Sequence, residues 1–378
     1  MIKVLLTLKI ILLKIIKLNL AFLKNQTSGY PDFVDKFEKN FAKFIGVEYA
    51  ITFCNGTSSI EAALYALNFS NNDEILVTSS NFHASIGPIK NLHYKPVFVD
   101  IDKDTLTIDL ADLKNKITSK SKGLIIVHPW GYPCNMEQVC KIVKENNLRL
   151  IEDCSHAHGA MYDNKKIGSF SDISCFSLQG AKSVKAGEGG IALTNNRDFF
   201  LRMSAYGHFN RHEADLNQNK DLKKFSKTGI SKKLRAHPLG VALANVDLEN
   251  LNILNKYKNE IYNKIDKILV NYDSINTMKL NNNAIRGGFF GGYPVILKNI
   301  NKIEKYKEIF KKYKINLDPY HWLLHHKMNI FDNEEVELPI SEDIINKFYL
   351  LRMPFFLNFN YKNLKKCLNE CEEIDKIN

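Results

Sequence analysis

The stretch from Phe170 to Thr194 restricts this chain more than any other. A β-type run, Ile173-Ser174-Cys175-Phe176-Ser177-Leu178, delivers a serine and then Lys182 into a loop of small residues. Gly187-Glu188-Gly189-Gly190 then turns the chain into a second β-type run, Ile191 to Thr194. Glycine permits positive φ and close approach of other groups. The pattern predicts two strands joined by a tight loop that presents an amine. A lysine at such a point is either a surface charge or an amine held against a carbonyl. The second use requires a depressed pKa or a cofactor aldehyde.

Upstream lies Leu148-Arg149-Leu150-Ile151-Glu152-Asp153-Cys154-Ser155-His156-Ala157-His158-Gly159. An apolar run that ends in Glu-Asp reads as an inner strand releasing an acid at its C-terminal edge, where open α/β sheets place their ligands. Taken alone, Asp153 is as well explained as a strand-end or helix-capping acid. Paired with Lys182 it fits one cofactor: pyridoxal phosphate needs a lysine for its Schiff base and an acid beside its ring nitrogen.

Together the two segments resemble the DegT/DnrJ/EryC1/StrS sugar aminotransferases. Ser177-Leu178-Gln179-Gly180-Ala181-Lys182 with Gly187-Glu188-Gly189-Gly190 is similar to the family's lysine motif, and Glu152 to Gly159 to its aspartate motif. The likeness covers nearly the whole chain after about residue 25. It implies an α/β, fold-type I pyridoxal-phosphate transferase. A large domain with a mostly parallel sheet between helices is expected over residues 1–250, and a smaller α+β domain over 251–378. The alternation of strand and helix patterns is consistent with that sheet.

The resemblance also assigns roles. Lys182 and Asp153 match the catalytic pair. Gly56, Thr57 and Ser58, in a loop opening a helix, match the phosphate-holding motif, which Ser177 completes. A loop feeding a helix N-terminus is a ready anion site, although plain N-capping is its commoner use. Phe82 matches the aromatic that stacks on the pyridine ring, and His156 the residue that bonds the phenolic oxygen; His158 reads as a structural histidine. Gly229 to Leu239 is similar to a segment reaching the partner subunit's phosphate site, with Arg235 as its arginine. Lys233 departs from the asparagine found there in many members. His325 resembles a small-domain histidine near the substrate; Lys232, Tyr320 and Trp322 are further candidates for the same cleft. The implied assembly is a homodimer with active sites at the subunit interface.

The implied reaction converts pyridoxal phosphate to pyridoxamine phosphate with an amino-acid donor, glutamate or glutamine, and then aminates a keto acceptor. A nucleotide-linked keto-sugar is the default acceptor, for surface polysaccharide or related amino-sugar synthesis. A small phosphorylated ketone such as a triose phosphate, suited to Lys232, Lys233 and Arg235, is the alternative, followed by a cyclitol ketone. A non-catalytic cofactor-binding sensor is the competing class. Retention of Lys182 argues against relatives that lost the lysine and act as dehydratases.

Composition excludes other readings. The net charge of +11 comes from lysines scattered among Asn and Ile rather than one basic tract, which disfavours nucleic acid. Seven cysteines show no metal-finger spacing and suit a reducing, cytoplasmic compartment, with no metal expected. Met1 to Lys24 is apolar, but lysines 3, 9, 14 and 17 interrupt it short of a spanning helix. Lys3, Lys14, Lys17 and Lys24 share one helical face. The segment reads as a helix packed on the large domain or a subunit interface, with peripheral membrane contact as the alternative. Arg197 to Thr228, the least regular part, is expected to form a mobile loop over the site.

Overall fold

Residues 2–320, 323–331, 336–352 and 359–376 are described by the computed structural model. Trp322, one of the cleft candidates, lies outside them. Seven short apolar runs form one sheet: β1 Tyr49–Phe53, β2 Glu74–Thr78, β3 Lys95–Val99, β4 Ser121–Val127, β5 Arg149–Asp153, β6 Ile173–Ser177 and β7 Gly190–Thr194. Their spatial order is β1-β7-β6-β5-β4-β2-β3. The five strands from β6 to β3 are parallel, and β7 lies antiparallel to both its neighbours.

Alternation along these strands feeds two separate cores. Leu76, Leu124, Ile126, Leu150 and Phe176 pack on one face beneath helix α2, Asp32–Ile45. Ile75, Val77, Ile125, Ile151 and Cys175 pack on the other beneath α3, Gly56–Leu67, and α4, Arg197–Gly207. The expected fold-type I architecture, a largely parallel sheet between helices, is borne out.

One helix, α5, runs unbroken from Pro238 to Leu269. The sequence pattern by itself reads as two helices here, Pro238 to about Leu254 and Lys256 to Val270. No glycine or proline interrupts that junction, so backbone bonding simply continues through it. Val241, Ala244, Leu248 and Leu251 belong to the large-sheet core, whereas Tyr262, Ile265, Ile268 and Leu269 belong to another. That second core lies under a four-stranded antiparallel sheet: β8 Ile275–Thr277, β9 Tyr293–Leu297, β10 Asn316–Pro319 and β11 Phe348–Arg352, ordered β8-β9-β11-β10. The boundary expected at residue 250 therefore falls inside α5.

The segment 197–228 is not the irregular loop its composition suggests. It holds α4, a short helix Glu213–Gln218 and a 3-10 turn Lys223–Phe225. Leu201, Ala205, Leu216 and Leu222 form a small core of their own. Arg211 is buried and paired with Glu38 and Asp35. The polar residues that suggested a loop include these internal partners and the Asn196 cap, whose side chain accepts the N–H groups of Asp198 and Phe199.

The N-terminal helix α1, Ile2–Leu23, packs along α5. Among the described residues no helix is long and apolar enough to cross a membrane.

Candidate active site

The C-terminal edge of the parallel strands carries the site. Beyond Ser177 the chain forms a closed loop: Leu178 N–H donates to Gly189 O at 2.8 Å, Gly180 N–H to Gly187 O at 2.7 Å and Ala186 N–H to Leu178 O at 2.7 Å. Gly187 takes φ 83°, which the turn requires. Lys182 projects from this loop, half-buried, its Nζ 3.9 Å from the centroid of the Phe290 ring. Burial pulls its pKa down to about 8, with Asp153 opposing.

Asp153, at the end of β5, is buried; Ser85 Oγ donates to its Oδ2 at 2.5 Å and Ser155 N–H to its Oδ1 at 3.0 Å. Its neighbour Glu152 points to the opposite face, as strand geometry demands. There it accepts N–H groups of Gly168, Phe170 and Ser171, the Ser171 hydroxyl and, at 3.3 Å, the His128 ring. One acid of the pair thus braces the turn leading into β6, while the other is left to the site.

The Gly56-Thr57-Ser58 loop opens α3, capped by the Asn55 side chain, which accepts Ser58 N–H at 2.8 Å. Gly56 sits against Ser177: a Cβ there would lie 3.0 Å from the Ser177 Cβ. The start of α3 and the Ser177 side chain are therefore neighbours.

A cavity of about 300 Å³ opens at this end of the sheet, lined by Asn81, Phe82, Trp130, His156 and Tyr320 among others; His156 also feels the charge of Lys182. Phe82 is 54% exposed, its ring free to cover a flat ligand. His156 accepts Trp130 N–H at 3.3 Å; burial, then Lys182, hold its pKa well below the usual histidine value. Tyr320 meets Trp130 edge-on, centroids 5.2 Å apart. Leu323–Leu324 pairs with Ser80–Asn81, which brings the buried His325 to within 2.8 Å of Ser79 O and His326 to 2.7 Å from Ser79 Oγ. His158 is buried between Phe41 and Phe176.

The basic segment is less uniform. Leu234 O accepts Cys54 N–H at 2.6 Å, which ties the segment to the strand end before Gly56. Arg235 stacks over Tyr30 and Phe209, and Lys233 is exposed beside Phe209. Lys232 faces elsewhere, held by Glu61 and the Tyr206 hydroxyl.

Several contributors escaped the sequence reading: Ser85, Ser155, Phe290 and Lys258. Phe290 stacks on His156 at 4.1 Å and 13°. It comes from Gly287-Gly288-Phe289-Phe290-Gly291-Gly292, a string whose glycines were a visible clue to close backbone packing. A Cβ on Gly288, at φ 77°, would lie 2.1 Å from His156 O. The Lys258 ammonium on α5 donates to Ser183 Oγ at 3.1 Å and reaches Gly288 O at 3.4 Å, joining that string to the lysine loop.

A family model described as the DegT/DnrJ/EryC1/StrS aminotransferase family matches residues 14–369. The chain belongs to that family. A GDP-perosamine synthase of Escherichia coli O157:H7 is 42% identical over 175 residues, 46% of this chain and 48% of the relative. A dTDP-3-amino-3,6-dideoxy-alpha-D-galactopyranose transaminase of Aneurinibacillus thermoaerophilus is 33% identical over 229 residues, 60% of each chain. The chain spans about half the length of the curated relatives it matches. The fold is also that of an aminotransferase from Psychrobacter cryohalolentis, with TM-score 0.82 at 23% identity over 96% of this chain and 97% of that one. In this DegT/DnrJ/EryC1/StrS protein Asp153 ends β5 and Lys182 follows β6, so both lie at the C-terminal edge of the sheet.

Proposed function

We propose that this chain is a pyridoxal-phosphate-dependent aminotransferase that moves an amino group from glutamate to the keto group of a nucleotide-linked sugar. The observation that carries the reading is an amine whose burial lowers its pKa to about 8, within electrostatic reach of the buried strand-end carboxylate of Asp153, which opposes the shift. Bound there, the cofactor supplies an aldehyde and an electron-withdrawing ring. Lys182 is the group to hold that aldehyde, and near neutral pH its lowered pKa lets it give and take a proton. Asp153, fixed by Ser85 and Ser155, keeps a proton at the ring nitrogen. Gly56, Thr57, Ser58 and Ser177 would hold the phosphate, Phe82 would cover one ring face, and His156, kept neutral by burial, would bond the phenolic oxygen. His325 and Tyr320 border the acceptor.

The relatives' names favour a GDP- or dTDP-linked keto-sugar over a triose phosphate. The bonding of Lys232 to Glu61 also withdraws one of the cations on which the smaller acceptor relied. Lys233 and Arg235 are assigned to the partner's phosphate site in a homodimer, and the unpaired cysteines fit a cytoplasmic enzyme.

The test uses protein loaded with pyridoxal phosphate. Borohydride should fix the cofactor to the parental protein and leave Lys182→Ala unlabelled. Glutamate should bleach the bound cofactor's visible band, and mass spectrometry should detect an aminated product from a GDP- or dTDP-keto-sugar. Full turnover by Lys182→Ala overturns the mechanism. Amination of phosphorylated ketones alone overturns the acceptor.

A further inference from the structure

Helix α1 turns one of its lysines inward. Lys14 meets Asp247 of α5 at 2.7 Å, and Ile10 and Ala21 are buried against the body. Asp247 also accepts Lys185 N–H at 3.1 Å, so the helix is moored directly behind the lysine loop. Its outward side is apolar: Leu5, Leu8, Leu12, Ile15, Ile16 and Leu23 are 44% to 84% exposed. At the helical repeat these six fall within about 100° of arc. Lys9, Lys24 and Lys17 are exposed along one flank of that arc.

An apolar stripe of this size needs a cover. The charge around it identifies which. The first thirty-one residues contain no Asp or Glu, and the whole chain carries +11. A symmetric second copy laid on this stripe would bring lysine flanks together with no acid on either helix. An anionic surface meets the same flank with opposite charge. We propose that α1 lies on an anionic lipid bilayer, its apolar stripe at the headgroup–acyl boundary and Lys9, Lys17 and Lys24 among the phosphates. The helix rests on the bilayer without crossing it, and the lysine loop stays attached through Asp247.

The experiment is flotation of the full-length, cofactor-loaded protein with vesicles of phosphatidylcholine, with and without phosphatidylglycerol. The parental protein should float with the anionic vesicles, remain behind with neutral ones, and be released by high salt. Leu8→Ser/Leu12→Ser/Ile15→Ser and Lys9→Glu/Lys17→Glu/Lys24→Glu should each weaken binding by roughly tenfold or more. Thermal midpoint and turnover should stay at parental values, because all six side chains point away from the body. Failure to float with either vesicle, or flotation untouched by both variants, overturns the proposal. So does a serine variant that converts a larger assembly into a smaller one without lipid, since a second copy would then be the cover. Borohydride fixation at Lys182 is independent of these outcomes, so the catalytic reading stands or falls separately.

Discussion

Lys182 has its proton affinity set by where it sits. Burial lowers its pKa from 10.5 to about 8, and Asp153 restores only part. Below about 8 the folded protein holds an ammonium that the unfolded chain solvates better. This penalty is on the order of 2 kcal/mol once the exposed part of the side chain is allowed for. As pH rises through the window from 8 to 10.5 the unfolded chain also loses its proton and the penalty fades. Lys182→Met should therefore make the cofactor-free protein more stable than the parent at pH 7, with the gap narrowing by pH 10. Urea midpoints at the two pH values check this; a gap that widens with pH would mean the amine is not destabilised by its surroundings. The position of Lys182 in a tight loop after a strand was legible because its glycine-rich loop and the strands beside it are local patterns. Phe290 and Lys258 were not, because only contacts across more than seventy residues of sequence bring them to the lysine loop.

At the scale of elements, the segment 197–228 shows how polar composition misleads. Arg211 is 6% exposed and is matched by Glu38, which also accepts the N–H and hydroxyl of Thr52. Removing the guanidinium leaves a buried carboxylate without its counter-charge. Arg211→Met should cost about 3–5 kcal/mol, whereas Arg197→Met, at the surface pair with Asp215, should cost less than about 1 kcal/mol. Chemical denaturation of the two variants compares them; equal costs would remove Arg211 as the anchor of that segment. In α1, likewise, the spacing revealed two faces, but packing chose which one turned inward. A single carboxylate on α5, more than two hundred residues away in sequence, drew Lys14 in and left the leucines outside.

Across the whole molecule, α5 is the mechanical link. Its first half is built into the large core and its second into the small one, and Ile253, 43% exposed, lies between them. Proline at 253 removes a backbone hydrogen bond and clashes with the preceding turn, a cost of about 3 kcal/mol or more. Ile253→Pro should split the calorimetric unfolding transition in two, whereas Ile253→Ala should leave one. A single cooperative transition in the proline variant would show that the two cores are coupled by other contacts. The alternation of apolar residues, the glycine turns and the acid and lysine at strand ends determined the parallel sheet and the edge that carries Asp153 and Lys182, because strand period and turn chemistry act over a few residues. Only the tertiary structure decided that α5 is continuous, that 197–228 is ordered, that Lys232 bonds Glu61, and that Phe290 stacks on His156. Each of these depends on which distant groups share a burial site, and that is settled by packing rather than by neighbours in the chain.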